Sequence, residues 1–294
     1  MKELPSEHDF IRKFSKIFHA KKKDLLCGIG DDAAVLQFGN KKLLMTTDSL
    51  QEHIHFEWKS TSAFLLGRKS LAVNLSDIAA MGGNPLWAVV AVAIPVHEKF
   101  SRIQNFFQGI QSIAKEFGVS IVGGDTDHSK KDWKITLTLL AEVKNPVYRS
   151  GAKVGDDIWV TGFLGIASAN PSPRVKAGRI LSQKKIPHAM IDISDGFLLD
   201  LEHLCEASGC GAQVLASALP VKKKPLALAL SRGEDYELLF AASPQKRNEI
   251  LNIFRNIKTK VTRVGEVVSK SKGISVLNSH GHKIQFSHKG YQHF

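Results

Sequence analysis

The stretch Gly28-Ile29-Gly30-Asp31-Asp32-Ala33-Ala34 decides how the rest of the chain is read. Two glycines let backbone N–H groups approach an anion, and adjacent carboxylates offer hard oxygens to a cation such as Mg²⁺. Taken alone, such a run is also a surface turn with solvated charges. Repetition separates the two readings. Strand-like apolar runs end on Asp again at Leu43-Leu44-Met45-Thr46-Thr47-Asp48, Val119-Ser120-Ile121-Val122-Gly123-Gly124-Asp125 and Met190-Ile191-Asp192-Ile193-Ser194-Asp195. Asp77 lies in a helical pattern, on the same face as Asn74 three residues before it. Carboxylates gathered this way repel one another unless cations sit between them, so the pattern reads as a multi-Mg²⁺ site mounted on strand ends. No His/Cys cluster competes for a softer metal.

A chain of 294 residues is long enough for two domains of about 150 residues, each with its own core. Hydrophobic residues at 43% and charged residues at 23% match an ordinary soluble globular protein. The net charge of +12 favours anionic partners, so nucleic acid has to be weighed. The positive charge falls in short blocks, Lys21 to Lys23, Lys130-Lys131, Lys184-Lys185 and Lys222 to Lys224, without the interleaved aromatics of a stacking platform. Solvated faces and the steering of phosphorylated substrates account for it better. Cys27, Cys205 and Cys210 are odd in number and lack metal-ligand spacing, as expected of reduced thiols in a cytoplasm. Glu3, Glu7 and Asp9 do not fit the basic start of a signal peptide. The longest apolar run, Leu86 to Ile94, falls short of the ~20 residues of a membrane helix.

Along the chain, the spacing predicts a helix over Glu7 to Phe18 and strands at Ala33 to Phe38 and Lys42 to Thr47 around a Gly39-Asn40 turn. The second strand delivers Thr46, Thr47 and Asp48, whose oxygens are expected to reach one metal. His53 and His55 alternate but lack a third zinc ligand of usual spacing, and a substrate contact suits one of them better. A helix follows from Thr61 to Met81, then a buried strand, a helix from Glu98 to Phe117, the Val119 strand, and the alternating strand Ile135 to Val143. This order predicts an α+β domain of ferredoxin-like type whose long alternating strand pairs across a dimer. The character resets near Asn145-Pro146, so the expected domains are 1–146 and 147–294, the second again α+β. In it, a capped helix is predicted from about Asp195 to Ser208.

Carboxylates for metals, glycine turns for phosphate and Arg149, with no Ser/His/Asp or Cys/His arrangement, argue for phosphoryl transfer by positioning and charge neutralisation. There is neither a Walker loop nor a protein-kinase signature. Gly28-Ile29-Gly30-Asp31-Asp32-Ala33, Thr47-Asp48, Asn74-Leu75-Ser76-Asp77-Ile78-Ala79-Ala80-Met81-Gly82, Gly123-Gly124-Asp125-Thr126, Arg149-Ser150-Gly151-Ala152, Ile191-Asp192-Ile193-Ser194-Asp195-Gly196 and Gly233-Glu234-Asp235-Tyr236-Glu237-Leu238 occur in that order. Together they resemble the thiamine-monophosphate kinase family, of the superfamily named for aminoimidazole ribonucleotide synthetase. The resemblance runs from near the N-terminus to Tyr291.

The resemblance implies ATP-dependent phosphorylation of thiamine monophosphate to thiamine diphosphate, with ATP and several Mg²⁺ in a cleft between the domains of a homodimer. It implies that Asp32, Thr46, Thr47, Asp48, Asp77, Asp125, Asp192 and Asp195 are metal ligands. It makes Gly124, Asp125, Arg149 and Ser194 ATP contacts, and His55, Glu234 and Tyr291 contacts of the thiamine substrate. On this reading 1–146 binds metal and ATP and dimerises, and 147–294 completes the site. Taken singly, each Asp is also a cap or turn residue, Arg149 a structural ion pair, His55 an exposed loop residue and Tyr291 a packing residue. The joint order favours the site.

Two departures stand out. Only Ile166 to Asn170 separate Gly165 from Pro171-Ser172-Pro173-Arg174, where the family has a helix and a longer connection, and Phe107 stands where relatives offer a polar aromatic near the nucleotide base. Among rivals, selenophosphate synthetase wants a reactive Cys followed by Lys, which Cys27 does not provide, and the hydrogenase-maturation relative ends in Cys, whereas this chain ends His293-Phe294. Aminoimidazole ribonucleotide synthetase-like chemistry is the enzymatic alternative. A non-catalytic basic nucleic-acid module is the other, and grouped acids argue against it.

Overall fold

In a computed structural model the chain is described at residues 22–166, 168–222 and 225–285, together with 10, 11, 13, 15, 17, 18, 290 and 291. Half of the first predicted helix lies outside these; Phe10, Ile11, Lys13 and Ser15 are helical. The hydrophobic alternation then sorts itself into a sheet of β1 (Leu25–Cys27), β2 (Ala34–Phe38), β3 (Lys41–Gln51), β4 (Asn84–Pro95), β5 (Ser120–Ser129) and β6 (Lys134–Val143), ordered β1-β2-β3-β6-β4-β5. Ile135, Leu137, Leu139, Ala141 and Val143 point from β6 into the core, as their period of two requires.

Helices α1 (Ala63–Ala80) and α2 (Phe100–Phe117) join this core. Ser62 starts α1 by accepting from the Leu65 N–H, and Gly118, at φ 70°, ends α2. The helices approach closely at Gly67 and Gly109, where an added Cβ would come 2.0 Å from the carbonyls of Phe106 and Phe64. On the other face of the sheet, Met45, Trp87, Val89 and Ala91 are exposed.

The second sheet runs β13-β12-β9-β11-β7-β10-β8, from β7 (Asp157–Thr161), β8 (Pro187–Asp192), β9 (Cys210–Leu215), β10 (Leu238–Ala242), β11 (Val261–Ser269), β12 (Ile274–Leu277) and β13 (Lys283–Ile284). With it go α3 (Val175–Gln183), α4 (Phe197–Ser208), α5 (Leu226–Ser231) and α6 (Arg247–Asn256). Strand β10 divides its side chains by alternation: Leu238 and Phe240 join the core of the first sheet, while Leu239 and Ala241 join a second core with Phe197 and Leu201. Gly178 of α3 sits where a Cβ would come 1.9 Å from the Ala79 carbonyl of α1, so the two halves are packed backbone to backbone.

The α+β reading holds, with differences of detail. The first sheet forms in the order β-α-β-α-β-β, and its last strand inserts between β3 and β4, unlike the β-α-β-β-α-β of a ferredoxin-like unit. That insertion corrects the expectation that the alternating strand pairs across a dimer: both edges of β6 are filled within the chain. Asp48 and Asp125 are not at strand ends either; β3 continues to Gln51 and β5 to Ser129. The predicted cap of α4 comes from inside its own first turn, where the Asp200 carboxylate accepts from the N–H groups of Asp195 and Gly196 at 3.1 Å.

Candidate active site

The β3 pleat and one face of α1 build one wall of a cleft of about 540 Å³; the β8–α4 turn and the Gly233–Tyr236 segment build the other. Asp32, Thr46, Thr47, Asp48, Asp77, Arg149, Asp192, Ser194, Asp195, His55, Glu234 and Tyr291 all line it, which brings together most of the residues named from the sequence. A second hollow continues from Asp32, Thr46 and Arg149 over the Gly28–Ala34 loop, providing space beside backbone N–H groups.

The centre is Asp32, Asp77 and Asp192, which offer carboxylate oxygens within 4.8 Å of one another. Burial, then the charges of Asp48, Asp192 and Asp32, drives Asp77 well above the ordinary carboxylate range. Burial and the Asp32 charge push Asp192 up to about 8; burial and Asp195 push Asp48 up to about 6. The opposing forces are few. Arg149 donates to Asp32 Oδ1 at 2.6 Å through Nη2 and 3.1 Å through Nε, Thr46 donates to Asp77 at 2.5 Å, and Ser76 donates to Asp192 at 2.6 Å. Asp32 Oδ2 is buried without a hydrogen-bond partner among the described residues. An orphaned carboxylate oxygen beside two like-charged neighbours, all hard donors, fits a divalent cation of the Mg²⁺ type.

Three expected residues behave differently. Strand alternation separates Thr47 from Thr46 and Asp48, and its hydroxyl donates to the Leu137 carbonyl at 3.0 Å and accepts from Thr138 at 3.1 Å. Thr47 lines the cleft with them, while its hydroxyl is tied to β6 and not to the carboxylate centre. Gly124 and Asp125 do not reach the cleft within one chain. Ser49, Thr136, Ala91 and Asp125 share a row across β3, β6, β4 and β5. Asp125 thus lies three strand spacings from β3, roughly 14 Å. It faces a separate groove with Phe107 between α2 and β5.

The two histidines part company. His55 lines the cleft, its Nδ1 accepting from the Gln51 N–H at 3.0 Å; His53 pairs with Glu57 at 3.0 Å and lies 3.7 Å from Asp132. Burial, then the charge of Asp31, raises the Cys27 thiol pKa above its ordinary value beside the glycine loop. The shortened segment after Gly165 is pinned at both ends. Gly165 and Ile166 donate to Asp235 at 2.7 and 2.8 Å, and Arg174 grips Glu237, which also accepts from Thr161 at 2.6 Å. Sequence reasoning missed Ser76 and Asp200, which hold the site from behind, and Lys69, whose Nζ lies 2.5 Å from Glu234 Oε1. Polar residues in the apolar patterns of α1 and α4 were the available signal.

Two sheets, a carboxylate centre between them and a glycine loop beside it define a protein of the aminoimidazole ribonucleotide synthetase type. Family models described as AIR synthase related protein match in two parts, the N-terminal domain at residues 30–143 and the C-terminal domain at 168–278. The thiamine-monophosphate kinase of Buchnera aphidicola subsp. Schizaphis graminum is 32% identical, covering 98% of this chain and 99% of its own. That of Rhodopirellula baltica is 35% identical over 83% of this chain and 84% of its own. The chain belongs to the thiamine-monophosphate kinase family. A solved structure of AaThiL complexed with AMPPCP and TMP superposes with a TM-score of 0.85 at 29% identity, covering 98% of this chain and 97% of that one.

Proposed function

We propose that this protein transfers the γ-phosphate of ATP to thiamine monophosphate, giving thiamine diphosphate, in the cytoplasm and as a Mg²⁺-dependent homodimer. The observation that carries the reading is the packing of Asp32, Asp77 and Asp192 into one centre, flanked by Asp48 and Asp195, in a family of kinases with this substrate. Bound Mg²⁺ would screen the repulsion between two phosphate groups and orient an in-line transfer. Asp32, Thr46, Asp48, Asp77, Asp192 and Asp195 are assigned to hold it. The attacking phosphate oxygen is already ionised at neutral pH, so no side chain has to act as general base. Arg149 and Ser194 are assigned to the ATP phosphates, and His55, Glu234 and Tyr291 to the thiamine end.

Gly124 and Asp125 are the assignments that one chain does not explain. The exposed face of the first sheet, with Met45, Trp87 and Val89, supports dimerisation, and a second copy would supply the partner's Gly124 and the partner's Asp125 to the cleft. A division near 146 agrees with the change of sheet between β6 and β7. No helix among the described residues is long and apolar enough to cross a membrane. The test is formation of thiamine diphosphate by the purified chain from thiamine monophosphate, ATP and Mg²⁺. Product that requires ATP and is lost in Asp48→Asn is expected; product unchanged in that variant would remove the metal assignment.

A further inference from the structure

Lysine is rarely buried, because its charge must find compensation. Lys69, in α1, is only 7% exposed. Its Nζ lies 2.5 Å from Glu234 Oε1 and 3.3 Å from the His55 carbonyl oxygen, and both of those residues line the cleft. The contact ties the β3–α1 connection and α1 to the Gly233–Tyr236 segment, with Glu234 165 positions from Lys69.

Glu234 is held elsewhere as well. Its backbone sits at φ 68°, in the left-handed region, and its N–H donates to the Ser194 carbonyl at 2.7 Å. A non-glycine residue keeps that conformation only when its surroundings impose it. The Ser194 bond fixes the main chain, and Lys69 fixes the carboxylate. His55 is fixed in parallel, its carbonyl by Lys69 and its ring by the Gln51 N–H.

Lys69, Val73 and Asp77 follow one another at four-residue steps along a single face of α1. Val73 lines the cleft and Asp77 stands in the carboxylate centre. Eight residues of helix set Lys69 roughly 12 Å from Asp77. One rigid face therefore spaces the carboxylate centre from the Glu234–His55 end, as an elongated phosphate ester with two linked rings requires.

We infer that Lys69 is the positioning residue of the substrate end of this cleft: by holding the Glu234 carboxylate and the His55 carbonyl together, it fixes where both residues meet the thiamine moiety. The inference rests on the assignment of that end to thiamine monophosphate. It predicts an effect on one ligand and not the other, because Lys69 touches neither Arg149 nor the glycine loop.

The test is calorimetric titration of the full chain with thiamine monophosphate and, separately, with AMPPCP, both in Mg²⁺. Lys69→Met, which conserves length in the helix, should weaken thiamine monophosphate binding about tenfold or more and leave AMPPCP within about threefold. Lys69→Arg, which keeps donors, should recover most of the loss. Combined with Glu234→Gln, Lys69→Met should cost less than the product of the two single effects, since one acts through the other. Unchanged thiamine monophosphate affinity, equal weakening of both ligands, or fully multiplicative losses would overturn the inference. An unaltered chain that binds thiamine monophosphate without transferring phosphate would strike the kinase reading alone and leave Lys69 to be judged by the titrations. One that fails to bind it overturns both.

Discussion

Asp192, Asp48 and Asp77 all have pKa values raised by burial first and by neighbouring carboxylates second, and this makes the site's stability run against its function. A carboxyl whose folded pKa exceeds its unfolded value stabilises the fold while protonated. That contribution is present below the ordinary value of 3.8 and is lost as pH rises through the folded value, about 6 for Asp48 and about 8 for Asp192. The metal-free protein should therefore melt at progressively lower temperature as pH rises across that window. Added Mg²⁺, which binds the ionised forms, should raise the melting temperature more at the alkaline end than at the acid end and release protons on binding. Melting curves with and without Mg²⁺ across the window, with titrations in buffers of differing ionisation enthalpy, read both. For the same reason Asp77→Asn should raise the melting temperature of the metal-free chain while lowering kcat about a hundredfold or more. If that variant turned over normally, Asp77 would be no metal ligand. The carboxylates were legible in the sequence because charged residues are out of place in apolar runs. Their supports were not: Lys69 and Glu234 are 165 positions apart, and Ser76 and Asp192 are 116 apart. A hydroxyl or an ammonium in a helix reads as solvated until the fold shows what faces it.

At the scale of elements, α1 carries the argument, since it lines the cleft and also forms the contact between the two halves. Gly178 of α3 leaves no room for a Cβ against the Ala79 carbonyl. Gly178→Ala should thus push α3 off the segment that follows Ser76 and Asp77. A loss of about 1–3 kcal/mol of stability is expected, together with reduced turnover, measured by denaturant unfolding and by the phosphoryl-transfer assay. Full stability and activity in that variant would mean the halves slide freely. Strand β6 was legible because it is buried on one face and alternates cleanly. The length of β5 was not, because Gly123-Gly124-Asp125-Thr126-Asp127-His128 alternates nothing apolar; its backbone is held as a strand by parallel pairing to β4 from Trp87 to Pro95. The hydrophobic pattern reports burial, and β5 is exposed along almost its whole length.

For the whole molecule, the position of Asp125 becomes the deciding quantity. It stands three strands from Asp48 across a sheet whose neighbouring strands are hydrogen-bonded from β3 through β6 and β4 to β5, so no side-chain rotation within one chain closes that gap. If Asp125 serves the cleft, it must serve the cleft of another copy, and the two substitutions Asp48→Asn and Asp125→Asn should then complement. Each variant alone forms dimers with two damaged sites. A mixed dimer puts both damaged residues into one site and leaves the other site intact. Random exchange between equal amounts of the two inactive proteins should therefore restore about a quarter of the activity of the unaltered enzyme. Val89→Lys, which places a charge on the exposed sheet face, should prevent both dimer formation and the recovery, as sedimentation and activity together would show. A mixture that stays inactive while mixed dimers form would mean that Asp48 and Asp125 serve the site of the same chain, and the placement of Asp125 in the cleft of another copy would fall.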